Sequence, residues 1–141
     1  MEYSVIYDAP SIDECFGSLS PYNLSKDTKE ISEQELESIA KNVTDELRYG
    51  PRFPGYVNIY ICKKDKDINY SKVRCGDKTR KKGKSGGYRC VVLVDNKLHI
   101  GYLLHIYRHS GGEDNISKKD KNKLEKLVEH YAQDKINQNI I

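Results

Sequence analysis

The apolar residues of this 141-residue chain recur at helical spacing in two long segments. The first segment predicts a helix that begins at Ser32, where Ser32 and Glu35 form a capping-box pair, and that ends at Tyr49-Gly50-Pro51. The apolar side of this helix is predicted to consist of Leu36, Ile39, Ala40, Val43 and Leu47.

The second helical segment lies near the end of the chain, and Ser117 with Asp120 predicts its start. Its predicted inner face carries Leu124, Leu127, Val128 and Tyr131. A shorter helix is predicted near the other end, where Ser11 and Glu14 have capping-box spacing. This short helix is expected to continue through Cys15, Phe16 and Leu19.

Alternating apolar and polar residues predict strands in the remaining segments. A short first strand is expected at residues 3–7, and four more are expected at residues 56–62, 70–75, 88–94 and 98–108. In the strand at residues 56–62, one predicted face carries Val57, Ile59 and Ile61 and the other carries Tyr56, Asn58 and Tyr60. Asp95-Asn96 suits a tight turn, so the last two strands are expected to form a long antiparallel hairpin.

The resulting element order, β–(α)–α–β–β–β–β–α, predicts a single α+β domain over residues 1–141. We expect an antiparallel-rich twisted sheet, N-terminal helices packed on one of its faces, and a C-terminal helix. A chain of this length buries one sizeable core but is too short for two domains.

Composition narrows the class of protein further. No apolar run approaches the roughly 20 residues of a membrane span, and the N-terminal residues lack a signal-peptide pattern. We therefore expect a cytoplasmic protein that does not enter a membrane. The four cysteines include no C-x-x-C pair, so reduced cysteines in the core are expected rather than a disulfide framework.

Positive charge is concentrated in residues 70–89, which hold eight basic side chains and one acidic side chain, Asp77. The whole chain carries a formal net charge of only +3. Residues 1–49 are acidic, with eleven carboxylates against four basic side chains. This separation predicts a surface that binds a polyanion, and nucleic acid is the first candidate.

Two short motifs do not support a cofactor. Gly83-Lys84-Ser85 resembles part of a nucleotide-binding loop, but Lys78 stands where that motif needs glycine, and a strand rather than a helix follows. His105 and His109 lie on one strand face but roughly 13 Å apart at the usual strand rise, too far to share a metal ion. We therefore expect neither a metal nor another cofactor, and His105 is interpreted as a hydrogen-bonded core residue.

Several basic residues are predicted to converge on one surface of the sheet. Lys72 and Arg74 share a strand face, Arg89 lies on the next strand, and Tyr107 and Arg108 lie on the one after. A solvated charged face would give the same pattern. However, Arg89 interrupts a strand that is otherwise apolar, and an arginine in such a place needs a partner or a role.

At these residues the chain resembles the RelE superfamily of bacterial toxins, and most closely its HigB-type branch. The resemblance rests on Lys72-Val73-Arg74, on residues 82–89 (KGKSGGYR), and on residues 103–109 (LLHIYRH) with 113–117 (EDNIS) and the final helix. It covers roughly residues 57–131, in order and with the family's spacing. Residues 1–49 match only in their order of helices and strands.

The resemblance implies a compact α+β toxin that cleaves mRNA as an endoribonuclease, commonly in the ribosomal A site. Carried over by position, the implied catalytic residues are Lys72, Arg74, Lys84, Arg89, Tyr107 and His109, and relatives often have lysine in the place of His109. The basic residues Arg80, Lys81, Lys82 and Arg108 are expected to bind RNA. Metal-free cleavage by such residues is chemically consistent, because lysine and arginine stabilise the charge of the phosphorane and histidine transfers protons near neutrality.

The implied partners are mRNA, the ribosome and a cognate antitoxin, expected to be a small helix-turn-helix protein. Two other functions fit the same sequence. A ParE-like toxin would share the fold but bind a protein target such as DNA gyrase and cleave nothing. A non-catalytic RNA-binding module would use the same positive charge.

Overall fold

The computed structural model describes residues 2–29, 31–49, 56–76, 87–108 and 116–139. Its strands and α-helices are, in chain order, β1 (Ser4–Ile6), α1 (Ala9–Phe16), α2 (Leu24–Asp27), α3 (Glu33–Tyr49), β2 (Tyr56–Ile61), β3 (Ile68–Cys75), β4 (Tyr88–Asp95), β5 (Ile100–Arg108) and α4 (Lys118–Asn139). A 3-10 helix (Gly17–Leu19) follows α1, so the helical segment reaches Leu19 as predicted but not as one α-helix. The predicted α+β class and order of elements are confirmed, and the four-residue helix α2 is an addition. No helix in these ranges is both long enough and apolar enough to cross a membrane.

The five strands form one mixed sheet in the order β1-β5-β4-β3-β2. Strands β2 to β5 are antiparallel to their neighbours along the chain, and the predicted β4–β5 hairpin is confirmed. Strand β1 pairs in parallel with β5 at the other edge of the sheet. The hairpin turn is longer than predicted, since β5 begins at Ile100 and His99 adopts a positive φ of 57°.

Helices cover both faces of this sheet. Gly101 of β5 faces α3, where a Cβ atom on it would lie 2.7 Å from Leu47 Cδ1. Its neighbour Tyr102 therefore faces the other way, and its ring contacts Phe16 of α1 at 5.2 Å and Tyr131 of α4 at 5.5 Å between centroids. The prediction that the N-terminal helices pack on one face is wrong. All eight residues of β4 are buried, so this central strand requires apolar cover on both sides.

The helix boundaries follow local capping. Ser32 Oγ accepts a hydrogen bond from the Glu35 N–H at 3.1 Å, and Ser117 Oγ accepts one from the Asp120 N–H at 3.1 Å, as predicted for α3 and α4. Helix α1 begins earlier than predicted, because Asp8 is its N-cap and accepts a hydrogen bond from the Ser11 N–H at 3.0 Å. The capping-box pattern predicted the helix start at Ser11, whereas the N-cap is Asp8, three residues earlier in the chain.

Strand β2 lies at the sheet edge and contains an irregularity between Asn58 and Tyr60. One extra residue at this point reverses the alternation of the following side chains. Register pairs Val57 with Lys72 and Tyr60 with Tyr70, so Val57 and Tyr60 share a face. The predicted grouping of Tyr60 with Tyr56 and Asn58 is therefore wrong.

Three of the four cysteines lie where the sequence predicted them, reduced and in the core. All four thiols are free, and Cys62, Cys75 and Cys90 are buried in or beside the strands. Cys15 on α1 is exposed and is not part of the core.

Candidate functional site

Strand register brings three of the predicted catalytic side chains into one row. Arg74 of β3 pairs with Arg89 of β4, and Arg89 pairs with Tyr107 of β5. Directly paired residues of antiparallel strands point to the same face, so the three side chains are neighbours at one end of the sheet. Arg74, Arg89 and Tyr107 are hereafter the basic row.

A second row runs beside the first, two residues further along each strand. It consists of Lys72 of β3, Val91 of β4 and His105 of β5. Lys72 therefore lies on the same face as Arg74, as the sequence predicted. The predicted convergence of Lys72, Arg74, Arg89 and Tyr107 agrees with the register.

Arg89 is the most deeply placed member of the basic row, with only 2% of its surface exposed. Its Nη1 donates a hydrogen bond to the carbonyl oxygen of Tyr88 at 3.4 Å. Burying a guanidinium is costly unless it is paired, and a like charge directly opposite adds to that cost. The register places such a charge, Arg74, opposite it.

Arg74 is half-buried, and its Nε atom is inaccessible to solvent. Within the part of the chain that the structure describes, this Nε has no hydrogen-bond partner. A buried donor without an acceptor costs about 1–3 kcal/mol. An anion that accepted this hydrogen bond and lay near both guanidinium groups would remove much of that cost.

Arg108 does not belong to the basic row. It pairs with Tyr88, so it lies on the opposite face of the sheet from Tyr107. Its Nη2 donates to the Tyr88 hydroxyl at 3.1 Å, and that hydroxyl donates to Glu35 Oε1 at 2.7 Å. Burial, with the hydrogen bond to Glu35, raises the pKa of Tyr88 to about 12, so the phenol remains a donor at neutral pH. The prediction that Arg108 converges with the row is wrong, because consecutive strand residues point to opposite faces.

The other predicted site residues lie outside the described residues. They are Lys84 and His109 of the predicted catalytic set and Arg80, Lys81 and Lys82 of the predicted RNA-binding set. Both segments adjoin the basic row in the chain, because β4 begins one residue before Arg89 and β5 ends one residue after Tyr107.

A cleft of about 300 Å³ opens beside Tyr107 and His105 at the edge of β5. Asp27 of α2 contributes to its wall, and Arg108 and Tyr88 line it from the other face of the sheet. Strand β1 pairs only with residues 100–102 of β5, which leaves this part of the strand edge to α2. The cleft therefore joins the basic row to the N-terminal helices.

Sequence reasoning did not identify the residues around His105. The His105 Nδ1 lies 3.2 Å from Asp27 Oδ2, and the imidazole stacks on the Tyr22 ring at 4.1 Å between centroids. A polar ring on an apolar strand is the one signal that marks His105 in the sequence. Asp27 and Tyr22 carry no such signal, because nothing local to them indicates contact with a strand about 80 residues away.

Among the described residues, no group of three or more His, Cys, Asp or Glu side chains is arranged to hold a metal ion. Comparisons of this chain with protein-family models, with curated proteins and with solved structures found no match.

Proposed function

We propose that this protein is a RelE-like toxin of the HigB type, a cytoplasmic endoribonuclease that cleaves mRNA on translating ribosomes without a metal ion. The basic row is the observation that carries the proposal. Two arginines lie directly opposite each other, and the buried Nε of Arg74 has no partner among the described residues. Two opposed guanidinium groups repel each other, but together they can bind the oxygens of a phosphate. Tyr107, next in the row, suits stacking on an RNA base.

The proposed reaction needs little beyond these groups. The 2′-oxygen of a ribose attacks the adjacent phosphorus, which develops negative charge on a crowded phosphorane. Preorganised cationic donors stabilise that charge, usually the largest contribution to catalysis. The basic row and Lys72 supply such donors. The resemblance adds Lys84 to this set and a cognate antitoxin as the partner that neutralises the toxin.

The burial of Arg89 favours a second candidate function. Only 2% of Arg89 is exposed, so a phosphate reaches its guanidinium only if neighbouring side chains move. A ParE-like toxin, which binds a protein target and cleaves no RNA, requires no such contact. The two functions therefore differ in whether a phosphate reaches Arg89.

Primer extension distinguishes the candidates. The purified protein is incubated with translating ribosomes and a defined mRNA, and the 5′ ends of the mRNA are mapped. New ends inside the reading frame are expected. Inhibition of growth without new ends would favour the ParE-like function, and RNA binding without either effect would favour a non-catalytic module.

The chemistry of the fragment ends is a further prediction. Attack by the 2′-oxygen leaves a 2′,3′-cyclic phosphate or a 3′-phosphate on one fragment and a 5′-hydroxyl on the other. We expect these ends, measured by phosphatase and kinase treatment of the fragments. The ribosome itself requires Mg²⁺, so chelation is not a usable control. Recovery of 5′-phosphate and 3′-hydroxyl ends would contradict the proposed mechanism.

RNA affinity is expected to fall as the salt concentration rises, because the basic side chains of residues 70–89 bind the phosphates of RNA. For single strands, the logarithm of affinity falls by about 0.7 per neutralised phosphate per log unit of salt. Replacing Lys81 and Lys82 together by alanine should flatten this slope without moving the cleavage site. The control replaces Lys41 and Lys97, which are exposed on α3 and in the β4–β5 turn. Equal slopes for the two double variants would show that Lys81 and Lys82 do not contact RNA.

A further inference from the structure

His105 and Asp27 form a hydrogen-bonded pair beside the basic row, although they are 78 residues apart in the chain. Asp27 ends the short helix α2, and its Oδ2 also accepts a hydrogen bond from the Asn23 N–H at 3.1 Å. That second bond fixes the carboxylate relative to the helix. The pair therefore holds the imidazole at a defined position on the face that carries Tyr107.

Aromatic contacts hold the His105 ring as well. The Tyr22 ring lies parallel to it, with 3° between the planes and 4.1 Å between centroids. Tyr107 lies 5.4 Å from it with 24° between the planes. A ring held by stacking and by a carboxylate has little freedom to rotate, which is the condition for efficient proton transfer.

The hydrogen bond to Asp27 also distinguishes the two ring nitrogens. An ionised carboxylate accepts hydrogen bonds and donates none. The proton of the neutral ring therefore lies on Nδ1, the nitrogen that faces Asp27. The other nitrogen, Nε2, then carries a lone pair. In the described ranges the ring makes no second hydrogen bond, and 19% of the side-chain surface remains exposed beside the cleft.

Burial lowers the pKa of His105, and the nearby Asp27 and Asp120 carboxylates oppose that shift without reversing it. The ring is therefore neutral at pH 7. The groups around the ring come from five elements. They are Asp27 of α2 with Tyr22 before it, Tyr107 of its own strand β5, Asp120 of α4 and Lys72 of β3 in the same row, with Arg108 of β5 and Tyr88 of β4 on the far wall of the cleft.

We propose that His105 is the general base of the RNA cleavage described above and that Asp27 is its positioning residue, an inference that rests on the proposed function. In this step Nε2 takes the proton of the ribose 2′-hydroxyl. The bond between the 2′-oxygen and phosphorus forms, and the bond between phosphorus and the 5′-oxygen breaks. The departing 5′-oxygen takes a proton from water, and the imidazolium returns its proton to solvent.

The position of His105 suits this role. It lies two residues from Tyr107 on the same face of β5, a separation of roughly 7 Å along the strand. A nucleotide whose phosphate occupies the basic row and whose base stacks near Tyr107 has its ribose within that span. The imidazolium formed on proton transfer is stabilised by Asp27, as a carboxylate stabilises the histidine of a hydrolytic triad.

Single-turnover cleavage on ribosomes tests the inference with three variants. His105→Phe keeps a ring in the aromatic stack but has no nitrogen, and His105→Gln keeps a hydrogen-bond donor for Asp27 but is not a base. Each is expected to cleave about 10²-fold more slowly or worse, with RNA affinity within threefold of wild type. The matched control is His130→Gln, a half-exposed histidine of α4 paired with Asp134, which should cleave at the wild-type rate.

The third variant, Asp27→Asn, separates a positioning role from a merely structural one through the pH profile. The wild-type rate should rise with pH through the ionisation of His105 and then level off. Because the Asp27 carboxylate raises the pKa of His105, its removal should move the rising limb to lower pH and lower the plateau. If Asp27 only held α2 against β5, its replacement would lower the cleavage rate without moving the pH at which the rate rises.

The outcomes separate this inference from the proposed function. Wild-type protein that yields no new mRNA ends would overturn both. Wild-type cleavage with full activity in folded His105→Phe and His105→Gln would overturn the inference alone. The inference would also be overturned if His109→Ala abolished the rising limb while Asp27→Asn left it in place, because His109 would then be the titrating group.

Discussion

Replacing Arg89 by methionine is expected to lower the rate of mRNA cleavage by about 10²–10³-fold while leaving the protein folded. Methionine retains much of the aliphatic volume in this buried position, so the packing loss is small. It removes a cationic donor that the proposal places at the scissile phosphate. The measurement is the single-turnover rate on ribosomes, with thermal unfolding recorded for the same samples.

Thermal unfolding shows whether this variant is folded at the temperature of the cleavage assay. The charge-matched control is Lys97→Ala, a mostly exposed lysine beyond the far end of β4. Full cleavage by folded Arg89→Met would contradict the assignment of Arg89 to the phosphate.

Replacing Asp95 by alanine is expected to lower the free energy of unfolding by about 3 kcal/mol or more. Asp95 is buried at the end of β4, and its Oδ1 accepts hydrogen bonds from the N–H groups of Lys97 and Leu98 at 3.0 and 3.1 Å. Its Oδ2 accepts one from the Tyr131 hydroxyl of α4 at 2.8 Å. One carboxylate thus closes the β4–β5 turn and fixes α4 on the sheet.

Urea unfolding measures this loss. The control is Asp134→Ala, because Asp134 and its partner His130 are about half exposed on α4, and such surface pairs contribute roughly 0–1 kcal/mol. Asp95→Asn should fall between the two, since an amide oxygen in the place of Oδ1 still accepts both backbone hydrogen bonds, whereas the acceptor for the Tyr131 hydroxyl is lost. Asp95→Ala and Asp134→Ala variants of equal stability would show that Asp95 does not hold the turn and α4 together.

Periodicity was sufficient to predict the elements that carry their own pattern. Helix α3 repeats apolar residues with a capping serine in front, and β4 is an unbroken apolar run after Arg89. The short β4–β5 turn then brings Tyr107 beside Arg89. Arg74 was predicted on the neighbouring strand, but its register directly opposite Arg89 was not, because twelve residues separate β3 from β4.

Features that depend on long-range contact were not accessible in the same way. The parallel pairing of β1 with β5 joins residues about 96 positions apart, and nothing in three residues of β1 specifies it. The irregularity of β2 leaves no local signal in its sequence, yet it moves Tyr60 to the other face. The Asp27–His105 pair requires α2, a helix of four residues that is too short to show a period.

The error at Arg108 has a different origin. Strand alternation alone places adjacent residues on opposite faces, so Tyr107 and Arg108 were never able to share a surface within a regular strand. Both residues were grouped on one surface because they lie together near the end of the same predicted strand. In the structure Arg108 stacks over the Tyr88 ring at 5.3 Å and supports the wall of the cleft from behind.

The central claim is that the face carrying the basic row cleaves mRNA. The most direct measurement is primer extension on one translated mRNA exposed in parallel to wild-type protein, Arg74→Ala and Lys97→Ala. Arg74→Ala removes a half-buried side chain of the basic row, whereas Lys97→Ala removes the same charge far from it. New mRNA ends are expected with wild-type protein and Lys97→Ala and strongly reduced ends with folded Arg74→Ala. Equal ends from all three proteins, or none from the wild type, would contradict the claim.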